Sequence, residues 1–377
     1  SHCQVYCNSE PVGEWPYGYT SFAFDLTNVI KPGQDNVIAV RLENAKNSSR
    51  WYPGAGLYRN VRLIYLDPVH VAHWGTYLTT PTITDDQGLV LLKTTLENHA
   101  AEQAVTLRTD IHDASGAVVA SAESSQQVQE NTNFEQELSV PHPNLWMPGS
   151  PTLYTAVSTV LVGGVETDHY ETHFGFRTLR FDPDQGFFIN GQAMKLNGVC
   201  MHHDLGPLGA AVNRTALKRQ LGILQEMGCN AIRTSHNPPT PELLELCDVM
   251  GFLLIDEAFD EWANGKMENG YNLFFKDWSE KDLRAMIKRD RNHPCVIMWS
   301  IGNEIREQWQ EDGAKVAQYL CDICHDEDPT RPTTAGFNGP LEAIKNGLAE
   351  VVDIPGWNYH PQDYARFHKR FPGKATY

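Results

Sequence analysis

The sequence lacks any apolar run approaching 18 residues, so nothing in it reads as a membrane-spanning helix. Positive charge is scarce. Thirty Lys and Arg face 47 Asp and Glu, and a net charge of −17 would repel a phosphate backbone. Neither nucleic acid nor a membrane is an expected partner. No G-x-G-x-x-G or G-K-[ST] motif follows the first strand of the strand–helix half, which leaves nucleotide binding without support. An initiator Met and a signal peptide are missing too. His2 to Tyr6 read as the inside of a strand and Lys374 to Tyr377 as the opening of another, so the chain is expected to be a piece of something longer.

Cysteine is thinly spread. Cys3, Cys7, Cys200, Cys229, Cys247, Cys295, Cys321 and Cys324 sit mostly among apolar neighbours, which predicts buried thiols rather than a disulfide framework. Cys321-Asp322-Ile323-Cys324-His325 satisfies the C-x-x-C-H pattern of haem attachment. However, Val316, Leu320 and Ile323 at helical spacing predict an ordinary amphipathic helix there. What the chain has in quantity is aromatic rings, with nine Trp, 14 Tyr and 15 Phe. Rings of this kind suit stacking on sugars, although cores use them more often.

Two styles of sequence meet near residue 178. The first half is strand-like: Phe22, Phe24 and Leu26 alternate, Val37 to Leu42 is a β-branched run, and Asn60 to Tyr65 follows a tight Gly-Pro loop. Leu89 to Leu96, Ala104 to Ile111 and Ala117 to Ala122 are broken by Asp-Gln-Gly and Asp-Ala-Ser-Gly turns. This spacing predicts one β-sandwich over 1–67 and another over 68–177. The second half, 178–377, alternates strand and helix. Strands are expected near Leu196–Cys200, Asn230–Arg233, Phe252–Asp256, Val296–Ser300, Thr333–Gly336 and Val352–Trp357. Helices are expected after Asn213 and over Leu243–Met250 and Asp282–Arg289. Polar residues crowd the carboxyl end of nearly every strand, which favours an incomplete (β/α)8 TIM barrel over an open sheet.

Strand ends are where such a barrel does chemistry. His202, His203 and Asp204 follow the first strand, and Arg233, Ser235, His236 and Asn237 the second. Asp256, Glu257, Asp260 and Glu261 follow the third. The fourth ends Trp299-Ser300-Ile301-Gly302-Asn303-Glu304, and the sixth Trp357-Asn358-Tyr359-His360. A carboxyl at the mouth, such as Glu304, can be kept protonated by partial burial and act as a general acid. Asn303 beside it could bond a sugar hydroxyl. Trp299 and Trp357 could floor a sugar site or fill the core. Arg233 could fix a carboxylate or form a structural ion pair. The His202-His203 pair, His236 and the third-strand acids could instead ligate a metal, but adjacent strand residues point to opposite faces.

Read in order, these strings resemble glycoside hydrolase family 2, the family of β-galactosidases and β-glucuronidases. The barrel entry carries Phe174-Gly175-Phe176-Arg177, Phe187-Phe188-Ile189-Asn190-Gly191 and Leu196-Asn197-Gly198-Val199. Ile232-Arg233-Thr234-Ser235-His236-Asn237-Pro238, Asp256-Glu257-Ala258, Arg289-Asp290-Arg291-Asn292-His293-Pro294 and Trp299 to Glu304 continue it. Pro16-Tyr17-Gly18-Tyr19, Arg50 to Gly56 and Leu145-Trp146-Met147-Pro148 resemble the family's two β-domains. The resemblance implies a jelly-roll-like and then an immunoglobulin-like sandwich before the barrel. It implies a retaining exo-glycosidase, foremost a β-galactosidase, acting on a carbohydrate substrate. Glu304 is then the acid/base and Asn303 the residue beside the reacting carbon, while Arg233 and Tyr359 lie near the nucleophile. His236, His202 and Asp204 contact sugar.

The family's nucleophile, a Glu just after the seventh strand, has no match up to Tyr377, so this chain alone is expected not to turn over. No cofactor is expected. Glu261 matches one magnesium ligand of some relatives, but Ala263 stands where their His would be. A β-glucuronidase, another family-2 β-glycosidase and a non-catalytic carbohydrate-binding protein are the alternatives, and no clear cluster for a sugar carboxylate is visible. Homo-oligomer formation and localisation are left open.

Overall fold

The structure, a computed structural model, describes residues 2–51 and 56–377. Four residues of the Arg50-to-Gly56 string, 52–55, therefore lie outside the described residues. At the amino end, His2–Cys7 runs between Glu10–Trp15 and Ile38–Glu43 in one three-stranded antiparallel sheet. Residues 1–67 thus carry a single described sheet where alternation predicts a two-sheet sandwich. Neither Phe22–Leu26 nor Asn60–Tyr65 forms a strand. Both have strand-like side chains, but a strand exists only through a hydrogen-bonded neighbour, and none among the described residues pairs with them. Val61, Leu63, Ile64 and Tyr65 stay exposed in consequence.

The next region is a two-sheet sandwich. Val69–Ile83, Gln87–Asn98 and Asn131–Pro141 form one antiparallel sheet. Val165–Phe174, Tyr154–Val162, Gln103–His112 and Val118–Val128 form the other, in that spatial order. Alternation decides which residues meet inside: along Asn131–Pro141 every second side chain is buried, Phe134 to Val140. They pack with Val90, Leu92, Leu107, Ile111, Val160 and Phe174. Among them Thr109 Oγ1 donates to Gln136 Oε1 at 2.6 Å, so the buried polar pair is satisfied.

Six parallel strands follow in sequential order: Gly198–Met201, Ala231–Thr234, Leu253–Glu257, Val296–Asn303, Thr333–Phe337 and Ile354–Trp357. From the second strand on they are buried throughout, as strands covered on both faces must be. The helices are set by local signals. Asn213 caps Arg214–Glu226, its side chain accepting from Ala216 N at 2.9 Å, and Gly228 ends the turn with φ +84°. Pro241–Met250 closes on left-handed Gly251. Phe275–Asp290 starts a full two turns before the periodicity suggests, because Phe275 packs inward beside Tyr271 and Phe259. The Cys-x-x-Cys-His string lies on helix Gly313–Glu327 with both thiols buried and His325 bonded to Asp353, as an amphipathic helix requires. All eight cysteines are free, as expected, and most are buried, with Cys200 exposed and Cys229 half-buried.

The first sheet is tied to the barrel through buried polar groups. Trp15 Nε1 donates to Asp282 Oδ1 at 2.8 Å, Tyr271 Oη donates to Oδ2 at 2.5 Å, and Tyr17 Oη donates to the Ala258 carbonyl at 2.8 Å. Burial pushes the Asp282 carboxyl up to about 6, against the opposing effect of these donors. The sign follows directly. An unfolded Asp titrates near ~3.9, so the native state holds the Asp282 proton more tightly and loses stability as pH rises from about 4 to about 6. Asp282→Asn should remove this slope. The difference in unfolding free energy between variant and parent is expected to move by about 2–3 kcal/mol across that window, at about 1.4 kcal/mol per pKa unit. A difference that stays constant from pH 4 to 7 would show that Asp282 does not titrate there.

Candidate active site

The strand ends converge on a chain of polar groups centred on Glu257. This carboxylate terminates the third strand, has no solvent-exposed surface, and receives three donors. Arg233 Nε donates to its Oε2 at 2.7 Å, Ser300 Oγ to the same oxygen at 2.6 Å, and His236 Nδ1 pairs with Oε1 at 2.5 Å. Burial alone would raise the Glu257 carboxyl. The Arg233 guanidinium and His236 outweigh that and hold it below its ordinary range, so the pair is ionised. The Ser235–His236 peptide bond beside it is cis.

From Arg233 the network passes to the mouth. Arg233 Nη2 donates to Asn303 Oδ1 at 2.9 Å, and Asn358 Nδ2 donates to the same oxygen at 2.9 Å. With Oδ1 doubly engaged, the Asn303 amide can face only one way, and its Nδ2 donates to Asp260 Oδ1 at 3.2 Å. Asn358 Nδ2 also reaches Glu304 Oε1 at 3.0 Å. Glu304 leaves the fourth strand with φ +48° and gives its N–H to Gly336 O at 2.7 Å. A left-handed glutamate costs about 1–3 kcal/mol and persists only where its surroundings hold it. Tyr359, φ +64° and largely exposed, lies close enough to Glu304 for that carboxylate's charge to raise its phenol above the usual range.

The amino-terminal region closes the mouth from the other side. Arg50 grips Asp260 with Nε at 2.8 Å and Nη2 at 2.6 Å, and Lys266 Nζ donates to Asp260 Oδ1 at 2.9 Å and to Asn303 O at 2.7 Å. Burial opposes ionisation of Asp260, but these two cations hold it well below the usual carboxylate range. Trp51 lies against His202, with centroids 4.3 Å apart, and near His236 at 5.6 Å. His202 meets His236 edge-on at 5.5 Å. Burial pushes the neighbouring His203 imidazole down to about 4, with Arg59 adding to the effect.

Glu304, Asn303, Arg233, His236 and Tyr359 are therefore one connected group, with His202 joined to it through His236. Asp204 turns away to its own loop, accepting the Gly206 N–H at 2.9 Å. Trp299 is a correction to the sugar-floor reading: it is fully buried and its Nε1 donates to Asp328 Oδ2 at 3.0 Å. Strand alternation explains this, since Ser300 points to Glu257 and its neighbour Trp299 must point to the helices. Trp357 is likewise packed between Phe337 and Phe367. Reading by strand ends names Glu257, Asp260 and Asn358 without giving them roles, and it passes over Lys266 and Arg50 entirely. Glu257 carries the same signal as Glu304, an acid ending an apolar strand. Arg50 carries none, because its partner Asp260 is 210 residues away.

A magnesium ion does not fit the Glu261 position. Its carboxylate accepts backbone N–H groups from Lys266 at 2.5 Å, Met267 at 3.2 Å and Asn272 at 3.3 Å, and Ala263 offers no ligand. The rival metal reading of the His202-His203 pair also finds no support. Among the described residues, neither imidazole falls within a cluster of three or more His, Cys, Asp or Glu side chains close enough to share an ion.

Two models of one family match this chain: "Glycosyl hydrolases family 2" over residues 69–177 and "Glycosyl hydrolases family 2, TIM barrel domain" over 183–360. Among curated proteins, the β-galactosidase BoGH2A of Bacteroides ovatus is 44% identical over 98% of this chain and 48% of its own length. A putative β-glucuronidase of Formosa agariphila is 36% identical over 94% of the chain and 32% of its own length. A crystal structure of a glycosyl hydrolase family 2 member from Bacteroides cellulosilyticus superposes with TM-score 0.96 at 37% identity, covering 100% of this chain and 49% of that one. The chain thus spans about half or less of the length of these relatives.

Proposed function

The chain belongs to glycoside hydrolase family 2, and from that premise we propose that the complete protein is a retaining, exo-acting β-glycosidase that releases terminal β-galactosyl residues. The observation that carries this reading is Glu304, held in a left-handed turn at the barrel mouth by Gly336, bonded by Asn358 and flanked by Tyr359. In the first step Glu304 protonates the leaving oxygen while a second carboxylate attacks the anomeric carbon. In the second Glu304 takes a proton from water, which displaces the enzyme from the sugar. Asn303 presents an oriented amide to the hydroxyl beside the reacting carbon, and the buried Arg233–Glu257 pair fixes that amide. His236 and His202 complete the sugar contacts of this proposal, while Asp204 holds its own loop.

Retention needs two carboxyl groups about 5–5.5 Å apart. Glu257 is fully engaged by three donors and cannot serve as the second. Backbone register supports a source next along the chain. Tyr377 N donates to Pro355 O at 3.2 Å and Trp357 N to Tyr377 O at 3.0 Å, which is parallel strand pairing. A residue one or two positions past Tyr377 would lie beside Trp357 and Asn358, next to Glu304. Residues 1–377 alone are then expected to be inactive.

Arg50 and Lys266 near Asn303 favour one second reading, a β-glucuronide with its sugar carboxylate among these cations. Asp260 already pairs with both, so galactoside is preferred. The test is a panel of aryl β-glycosides with the complete protein. The β-galactoside is expected to give a kcat/KM at least about tenfold above the β-glucuronide, a difference of about 1.4 kcal/mol at the transition state. The opposite order would move the assignment to glucuronide, and binding without turnover would leave a carbohydrate-binding protein.

A further inference from the structure

The β-sandwich carries a group of side chains with metal-binding chemistry that the glycosidase reading does not use. Strands Val69–Ile83 and Gln87–Asn98 pair antiparallel with His70 directly opposite Glu97. His99 stands two residues past Glu97 and so shares its face. Its own N–H donates to Pro68 O at 2.9 Å, which extends the ladder and fixes the backbone beneath it. The register thus converges two imidazoles on one carboxylate. His70 Nε2 and His99 Nε2 each lie 3.5 Å from the same Glu97 oxygen, and all three donor atoms fall within 4.8 Å of one another. Ligands placed tetrahedrally around zinc, with bonds of about 2.0–2.2 Å, sit roughly 3.3–3.6 Å apart.

A second observation concerns His70 itself. Its Nδ1 lies 2.7 Å from the Asp67 carbonyl, a group that only accepts, so Nδ1 carries the hydrogen and Nε2 offers its lone pair to the cluster. This outer hydrogen bond is what orients imidazoles that bind metals. His70 is buried, whereas the His99 side chain is 63% exposed, which leaves the outer face open for water as a further ligand. The two rings lie 5.5 Å apart and tilt by 24°.

We propose that His70, Glu97 and His99 form a binding site for a zinc-like divalent ion that clips the start of one sandwich strand to the end of its neighbour. Two imidazole nitrogens with one carboxylate suit zinc and disfavour magnesium and calcium, which take oxygen ligands. The other such cluster among the described residues, Asp248 with His293 and Cys295, is largely buried, and both Asp248 oxygens are already engaged, by the His293 ring at 2.5 Å and the Cys295 backbone N–H at 3.0 Å, so it serves as an internal comparison.

The test is a zinc titration of the complete, chelator-treated protein against a chromophoric chelator, on the parent and on His99→Ala and Glu97→Gln. The parent is expected to bind one zinc per chain at micromolar concentration and to melt at a higher temperature with zinc than with chelator. Each variant is expected to weaken zinc at least about tenfold and to lose the zinc-dependent melting shift, while melting like the parent in chelator. Glycosidase activity should not change. Zinc binding that is undiminished in both variants, that magnesium matches, or that is absent at about 0.1 mM zinc would overturn the proposal.

Discussion

Replacing Glu304 by Gln in the complete protein is expected to lower kcat on natural β-glycosides by about 10²–10⁴-fold, the usual contribution of a positioned proton donor. The side chain keeps its size, and its amide can still accept from Asn358 Nδ2, so folding and substrate binding should be nearly intact. What is lost is the proton for the leaving oxygen. Aryl glycosides with strongly acidic phenols need little protonation and should keep the most activity in the first step. Their hydrolysis then slows at the second step, where the same residue must act as base, so a burst of released phenol is expected. The check is kcat on a disaccharide and on a dinitrophenyl glycoside with a pre-steady-state trace. An unchanged kcat on the disaccharide would remove Glu304 from the acid/base role.

The second large effect concerns Arg233. It joins Glu257 below the site to Asn303 and Asn358 at its surface, and Glu257 has no exposed surface of its own. Arg233→Met leaves a buried carboxylate with its main counter-charge gone, and breaking such a pair costs about 3–5 kcal/mol. Activity should fall as well, because the Asn303 amide loses the donor that sets its orientation. Arg233→Lys keeps the charge but not the planar fork, so it cannot serve Glu257 and both asparagines together and should also lose activity. The double variant Arg233→Met, Glu257→Gln removes the orphaned charge and is expected to melt higher than Arg233→Met alone. Additive losses in that thermal-denaturation cycle would mean that the two side chains are not coupled.

These two predictions rest on parts of the molecule that differ in how far they can be read from sequence. The barrel half is legible because each signal is local: an apolar strand, a cap such as Asn213, a helix, then polar residues. Glu304 and Asn303 stand out by the same rule. Trp299 does not yield to it. A strand buried on both faces has no polar alternation to show which side chains point to the barrel axis, so Trp299 and Ser300 look alike in position although they face opposite ways. The pairing of Arg50 with Asp260 spans 210 residues of chain and that of Lys266 with Asn303 spans 37, and no local signal announces either. Asn60–Tyr65 fails for a related reason. Its side chains favour a strand, but pairing is a property of two segments, and one segment cannot reveal whether the other is beside it.

The His70–Glu97–His99 cluster lies between these cases. Glu97 and His99 stand close together in sequence just past the Leu89–Leu96 run, whereas His70 joins them only once the register is known.

The stereochemical course of hydrolysis tests the account most directly. Proton NMR of the complete protein acting on an aryl β-galactoside would follow the first-formed sugar before mutarotation. Two carboxyl groups about 5–5.5 Å apart, Glu304 and one beside Asn358, predict that the β-anomer of galactose appears first. First appearance of the α-anomer would require a water between more distant carboxylates and would contradict the mechanism assigned to Glu304.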